Sequence, residues 1–220
     1  MTRTVGLANS TARTLANRPP RLLIIAGATG TGKSTVAMKI AAKSKFARLL
    51  STDAIREIIR SCTNDKENSA LQRSSFSIGE SNDAAIDWLD TCQAVENGIE
   101  ATINRALREG IDLLLEGVHI VPSDRLIRNW IDSGGIATGV IMVVSDENKH
   151  REMIRSRDAH SFRRPDRYIA NFSRIRRIQE SLIERSKIAS WPVVDISKIE
   201  SDLDKILHHL DIAWNQKSKR

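Results

Sequence analysis

The chain has 220 residues, 40% of them hydrophobic and 28% charged, which fits one folded α/β domain with small appendages better than two domains. Its 34 Lys and Arg against 27 Asp and Glu leave a net charge of +7, favouring anionic partners without choosing among phosphorylated metabolites, nucleotides and nucleic acid. No apolar stretch approaches the length of a membrane span. Cys62 and Cys92 lie far apart without ligand-spaced partners, which argues against a zinc site or a disulfide framework and points to the cytoplasm.

Residues 1–20 carry three arginines and no acids and end in Pro19-Pro20. They read as a flexible basic leader, with a transit peptide as the alternative. The main domain is expected over 21–212, followed by a basic tail at 213–220. An apolar run at 22–26 leads into Gly27-Ala28-Thr29-Gly30-Thr31-Gly32-Lys33-Ser34-Thr35, and a helical pattern follows over 33–44. This strand, loop and helix match G-x-x-x-x-G-K-[ST]. Closely spaced glycines let backbone N–H groups curl around phosphates, and the helix start adds unpaired N–H groups and a positive dipole end. Lys33 is suited to the β and γ phosphates of ATP, and the Ser34 hydroxyl to Mg²⁺.

A second strand is expected at 47–51, with Ser51 or Thr52 capping a helix over 54–61 whose apolar face is Ile55, Ile58 and Ile59. Asp53 then falls at the carboxyl edge of a parallel sheet, where ligands bind. It is a candidate base, an orienting group for an acceptor hydroxyl or an indirect Mg²⁺ ligand, against a plain capping or surface role. Arg56, one turn on, is a candidate for an acceptor's anionic group. The polar stretch 62–81 reads as a substrate-recognition insert or a connecting loop.

Residues 83–108 are helical in pattern, with Ile86, Leu89, Val95, Ile99, Ile103 and Leu107 as the stripe, Trp88 read as core and Gly98 as an interruption. The apolar strand 111–115 ends in Glu116-Gly117-Val118-His119. An acid at that position is what a Walker B element needs to organise Mg²⁺ or its water shell. His119 faces the same edge and either binds the acceptor or completes a hydrogen-bond network. A helix over 124–131 capped by Ser123, a buried strand at 136–144, helices over 146–158 and 168–190, a strand at 193–196 and a helix over 199–212 complete the order. The last long stripe is Ile169, Phe172, Ile175, Ile178, Leu182, Ile183 and Ile188. His150, His208 and His209 read as surface or interface residues.

Five parallel strands with intervening helices, a phosphate loop after the first and an acid after the third imply a three-layer α/β fold of the P-loop nucleoside-triphosphate-hydrolase type. The expected strand order is 2-3-1-4-5, with a helical lid around 151–170. Nine arginines between 151 and 177 stand where small phosphoryl-transfer enzymes of this architecture place a lid that excludes water. Arg155 and Arg163 are expected to act on the transferring phosphoryl group, and Arg164 and Arg167 to hold the acceptor. Arg174, Arg176 and Arg177 belong either to the lid or to a solvated face. The chain lacks the N-K-x-D guanine signature, so an ATP-dependent small-molecule kinase is the leading reading.

The residues of 25–35, Leu50-Ser51-Thr52-Asp53-Ala54-Ile55-Arg56-Glu57, Leu115-Glu116-Gly117-Val118-His119-Ile120-Val121-Pro122 and Tyr168-Ile169-Ala170-Asn171-Phe172-Ser173-Arg174-Ile175-Arg176-Arg177-Ile178-Gln179 together resemble the 2-phosphoglycerate kinase family. The resemblance covers residues 21–212. It implies transfer of the ATP γ-phosphoryl group to the 3-hydroxyl of 2-phosphoglycerate, giving 2,3-bisphosphoglycerate. The family's phosphate loop falls on residues 27–34, its second-strand acid on Asp53, the adjacent arginine on Arg56, and its E-G-V-H segment on residues 116–119. Longer archaeal members have an additional amino-terminal region, and His160-Ser161-Phe162-Arg163-Arg164 matches the family pattern only loosely.

Two other readings stay open. One keeps the kinase and changes the acceptor to another small metabolite, a nucleotide sugar or a polynucleotide 5′-hydroxyl. Only nine aromatic residues occur and none interleaves a basic groove, so nucleic acid is not an expected partner. The other is a non-catalytic nucleotide-binding interaction module. Oligomeric state is open between monomer and homodimer.

Overall fold

The computed structural model describes residues 18–63, 69–156, 165–197 and 202–217. β1 (Arg21–Gly27) passes through the phosphate loop into α1 (Lys33–Ser44), and β2 (Arg48–Ser51) runs directly into α2 (Thr52–Cys62). A short α3 (Ser69–Gln72) and a long α4 (Ala84–Arg108) precede β3 (Leu113–Gly117), α5 (Asp124–Asp132) and β4 (Ile136–Val143). The chain continues through α6 (Glu147–Ser156), α7 (Pro165–Ala170), α8 (Phe172–Ala189), β5 (Val193–Asp195) and α9 (Asp202–Lys217). The sheet is parallel throughout and ordered β2-β3-β1-β4-β5, the arrangement expected from the sequence.

Side chains alternate across a strand, so β1 sends Leu22, Ile24 and Ala26 to one face and Leu23 and Ile25 to the other. All five are fully buried. The first face is covered by α4 and α8 through Trp88, Val95, Ile175 and Leu182, and by Trp130 of α5. The second is covered by α1 and α9 through Ala37, Ile40, Ile206 and Leu210. Each fully buried Leu or Ile contributes about 1.5–3 kcal/mol, so this doubly covered strand is a rigid platform for the loop it carries. Among the described residues no helix is long and apolar enough to cross a membrane.

Several local expectations change. Gly98 does not interrupt α4; a Cβ there would lie 2.7 Å from Ile55, so the glycine lets α2 pack closely on an unbroken helix. The helix expected over 168–190 breaks at Asn171 into α7 and α8. β3 extends to Gly117, placing Glu116 inside the strand. Ile58, Ile86 and Ile188 are exposed, so the apolar stripes are wider than the faces that pack. Ser51 caps α2 by accepting from the Ala54 N–H at 3.1 Å, whereas Ser123 stands at the start of α5 without a side-chain capping bond. Arg18 and Arg21 both donate to the buried Asp112 carboxylate, tying the residues before β1 to the start of β3.

Candidate active site

The phosphate loop lies where β1 leaves the sheet. Gly30 and Gly32 have φ of 85° and 74°, the left-handed region that an L side chain resists, and this permits the sharp path into α1. Gly32 is the N-cap of α1 and contributes no side-chain capping bond, so the helix start faces the cradle with backbone donors. Gly30, Gly32, Lys33, Ser34 and Thr35 line a recess of about 230 Å³ together with Met153 and Ser156 of α6. The buried Lys33 ammonium donates to the Ala28 carbonyl at 2.8 Å, and the Thr31 hydroxyl donates to the same oxygen at 3.0 Å. Of the loop residues named from the motif, Gly30, Gly32, Lys33, Ser34 and Thr35 are brought together at this recess.

Glu116 is brought beside Ser34 of this recess through strand alternation. Leu114 points to the face covered by α1, and Glu116, two residues on, points the same way. It pairs in register with Ile25 of β1 and Ser51 of β2 at the carboxyl edge. The Ser34 hydroxyl donates to its Oε1 at 2.9 Å. A hydroxyl and a carboxylate so placed fit a hard cation such as Mg²⁺, which completes its shell with water and substrate phosphate. Among the described residues no group of three or more His, Cys, Asp or Glu side chains is gathered to hold a metal ion.

Asp53 lies in the first turn of α2 with its side chain 63% exposed, and its Oδ1 is 3.5 Å from Nδ1 of His119. Since Ser51 supplies the cap, Asp53 is not needed for it. His119 is almost fully buried behind Asp53, with Nδ1 3.2 Å from the Thr52 hydroxyl oxygen. Burial drives its pKa from 6.5 down to about 4, against the opposing pull of Asp53 and with help from the Arg56 and Lys33 charges. The ring is therefore neutral at pH 7. A carboxylate facing Nδ1 favours a proton on that nitrogen, so His119 can steady Asp53 as a donor. His119 thus lies in a hydrogen-bond network with Thr52 and beside Asp53.

The arginines divide. Arg56 is half-buried, donates to the Arg73 carbonyl at 2.7 Å, and has its pKa lowered by burial and by the charges of Arg60 and Arg167. Arg167 is exposed on α7 and donates to the Ser74 hydroxyl at 2.9 Å. Arg155 is exposed in the last turn of α6. Arg163 and Arg164, expected to act on the phosphoryl group and the acceptor, lie outside the described residues, as does His160. Arg174 and Arg176 are structural. Arg174 donates to the carbonyls of Phe76, Ser77 and Asn82 and to the buried Asp87, and Arg176 to those of Val144 and Ser145. Arg177 is the solvated one, paired with Glu180 and Glu184.

His150 is a correction. It was expected at the surface or an interface, yet it is fully buried beneath the phosphate loop, because α6 packs its inner face there along with Ile154. Met153, Ser156, Arg73 and Asp87 also escaped the sequence reading. For His150 the only signal was its spacing of four from the apolar Ile154; for Asp87 and Arg73 there was none, since the loop that brings Gly79 and Ser81 to Asp87, and Arg73 to Asp90, has no periodic pattern.

Fold and cradle together define a P-loop small-molecule kinase fold within the P-loop kinase superfamily. Residues 22–182 match the family model described as AAA domain, and the chain belongs to that family. It is 34% identical over 200 residues to the 2-phosphoglycerate kinase of Methanopyrus kandleri, covering 87% of this chain and 61% of that protein. Against the 2-phosphoglycerate kinase of Methanothermobacter thermautotrophicus the identity is 32% over 204 residues, covering 88% of this chain and 66% of the relative. The chain therefore spans somewhat less than two thirds of these relatives' length. Among solved structures, a candidate kinase from Chloroflexus aurantiacus superposes with a TM-score of 0.53 at 18% identity, covering 90% of this chain and 99% of that one, a likeness of fold alone.

Proposed function

We propose that the chain is an ATP-dependent kinase that transfers the γ-phosphoryl group to the 3-hydroxyl of 2-phosphoglycerate, giving 2,3-bisphosphoglycerate and ADP. The observation that carries the reading is the gathering of two pairs on one sheet edge, Ser34 with Glu116 beside the phosphate loop and Asp53 with His119 on the neighbouring strand end. The identity to 2-phosphoglycerate kinases supports the choice of acceptor.

In this reading the α1 N-terminus and the loop N–H groups hold the phosphates, and Lys33 balances charge on the transferring group. Asp53 orients the acceptor 3-hydroxyl in line and accepts its proton as the oxygen bonds to the γ-phosphorus and the bond to the β-phosphate oxygen breaks. Arg56, Arg164 and Arg167 hold the acceptor's anionic groups, a task suited to the guanidinium fork. Arg155 and Arg163 close over the phosphoryl group from a lid around 151–170. Ser34 and Glu116, with Asp53 acting indirectly, would hold Mg²⁺, which would neutralise phosphate charge there.

The reading is tested by ADP release with ATP, Mg²⁺ and a panel of hydroxylated acceptors that includes 2- and 3-phosphoglycerate. Saturable, acceptor-dependent release with 2-phosphoglycerate is expected. Turnover with a different acceptor alone would overturn the named substrate and leave the kinase class standing, whereas ATP binding without any turnover would favour the interaction module.

A further inference from the structure

We infer that His150 is a positioning residue of the phosphate loop: its imidazole holds the Thr29 carbonyl and so turns the Gly30 N–H into the phosphate recess. The inference rests on the reading of the loop as a nucleotide site. His150 sits on α6, is fully buried, and has Nε2 2.9 Å from the Thr29 oxygen. Its other nitrogen, Nδ1, is 3.5 Å from Nη1 of Arg176. That guanidinium is fixed by donating to the Val144 carbonyl at 2.5 Å and the Ser145 carbonyl at 3.2 Å. A cation facing Nδ1 leaves that nitrogen as the acceptor, which places the ring proton on Nε2 and makes it the donor to Thr29. Burial, with the Arg176 and Lys33 charges, lowers the imidazole's pKa against the pull of the Thr29 carbonyl and Glu147, so the neutral ring persists at pH 7.

Peptide geometry converts this contact into a role. A trans peptide is planar, and its C=O and N–H point in opposite directions. With the Thr29 oxygen anchored at His150, the N–H of Gly30 must point away from α6's buried face. Gly30 lines the recess with Gly32, Lys33, Ser34 and Thr35 of the loop and Met153 and Ser156 of α6, and in this inference its turned N–H stands on the loop side of that recess as a donor for phosphate. A Cβ on Gly30 would overlap Ile154 and come within 3.2 Å of the His150 Nε2, which shows how closely α6 is seated on the loop. The same helix contributes Met153 and Ser156 to the recess and carries Arg155, and Arg176 comes from α8. One imidazole thus ties the two helices that flank the lid region to a single peptide of the phosphate loop.

The test is calorimetric titration of MgATP into the wild-type chain, His150→Leu and His150→Gln, with the Gly30 amide followed by ¹H–¹⁵N NMR. His150→Leu fills the space without a donor and is expected to weaken ATP binding roughly tenfold, the loss of about one hydrogen bond, and to shift the Gly30 amide. His150→Gln, whose amide reaches the Nε2 position, is expected to recover most of the affinity and the wild-type amide position. Wild-type affinity and an unmoved Gly30 amide in folded His150→Leu would overturn the inference alone. A wild-type chain that binds no ATP would remove the nucleotide reading together with it. Should His150→Leu not fold, His150→Gln is compared with His150→Asn, whose shorter amide stops at the Nδ1 position; Asn is expected to lose affinity, and equal affinity of the two would overturn the inference.

Discussion

The Ser34 hydroxyl donates to the Glu116 carboxylate at 2.9 Å, joining the first turn of α1 to the carboxyl edge of β3 across 82 positions of sequence. Neither residue serves the core, and both face the recess side of the sheet. Glu116→Gln keeps the shape and removes the charge. It is expected to lower turnover about 10- to 100-fold and to raise the Mg²⁺ concentration needed for half-maximal rate, by analogy with the loss of a group that supports a metal site. Steady-state rates over a Mg²⁺ series check this, and an unchanged Mg²⁺ dependence would remove Glu116 from the site.

Gly117 follows Glu116 and lies against Thr52. A Cβ at Gly117 would overlap the Thr52 hydroxyl, whose oxygen lies 3.2 Å from Nδ1 of His119. Gly117→Ala is therefore expected to destabilise the fold by roughly 1–3 kcal/mol through overpacking. It should also disturb the histidine behind Asp53. Urea unfolding measures the first effect, and the His119 imidazole NMR signals report the second.

His119 makes stability depend on pH in a definite direction. Its pKa falls from 6.5 to about 4 on folding, chiefly through burial, so the unfolded chain binds a proton that the folded chain refuses. Its contribution is complete above about pH 6.5 and is lost as pH falls toward 4. Wild-type stability should fall between pH 7 and pH 5, and His119→Gln should show a shallower fall; parallel slopes in urea unfolding at the two pH values would contradict the assignment.

Arg174 and Asp87 form a buried pair at 2.6 Å, the arginine 14% and the aspartate 0% exposed. Burial alone would raise the Asp87 carboxyl, but bonds from the Gly79 N–H, the Ser81 hydroxyl and Arg174 override it and hold it at about 2. Its contribution is complete above the ordinary value of 3.8 and is lost as pH falls from there toward 2. Arg174→Met leaves that carboxylate buried without its cation and should cost about 3–5 kcal/mol. The midpoint of acid unfolding should move to higher pH, which circular dichroism across an acid titration reads.

How much of this was legible in the sequence follows from how local each signal is. Gly30, Gly32, Lys33 and Ser34 declare themselves because one short segment contains the turn, the donors and the charge. Glu116 was readable as an acid closing an apolar run, and Asp53 by its place after the second strand. The strand order was expected from the fold type that the phosphate loop and the acid after the third strand implied. Arg174 looked like a lid or solvated cation because its partners are the Phe76 and Asn82 carbonyls, which carry no side-chain signature, and Asp87 on α4, 87 positions away. His150 looked like a surface or interface residue because the object it packs on, the Thr29 carbonyl, carries no side-chain signature. Ile58 and Ile188 mislead in the other direction, since helical spacing marks an apolar stripe without saying how much of it meets a neighbour.

Phosphoryl transfer to 2-phosphoglycerate at the Asp53 edge of the phosphate loop is decided by identifying the product. The chain is incubated with ATP, Mg²⁺ and 2-phosphoglycerate and the mixture analysed by ³¹P NMR and mass, with Lys33→Ala as a folded control. Equal amounts of ADP and 2,3-bisphosphoglycerate are expected from the wild type and no product from Lys33→Ala. ADP accompanied only by inorganic phosphate, or full turnover by folded Lys33→Ala, would contradict this reading.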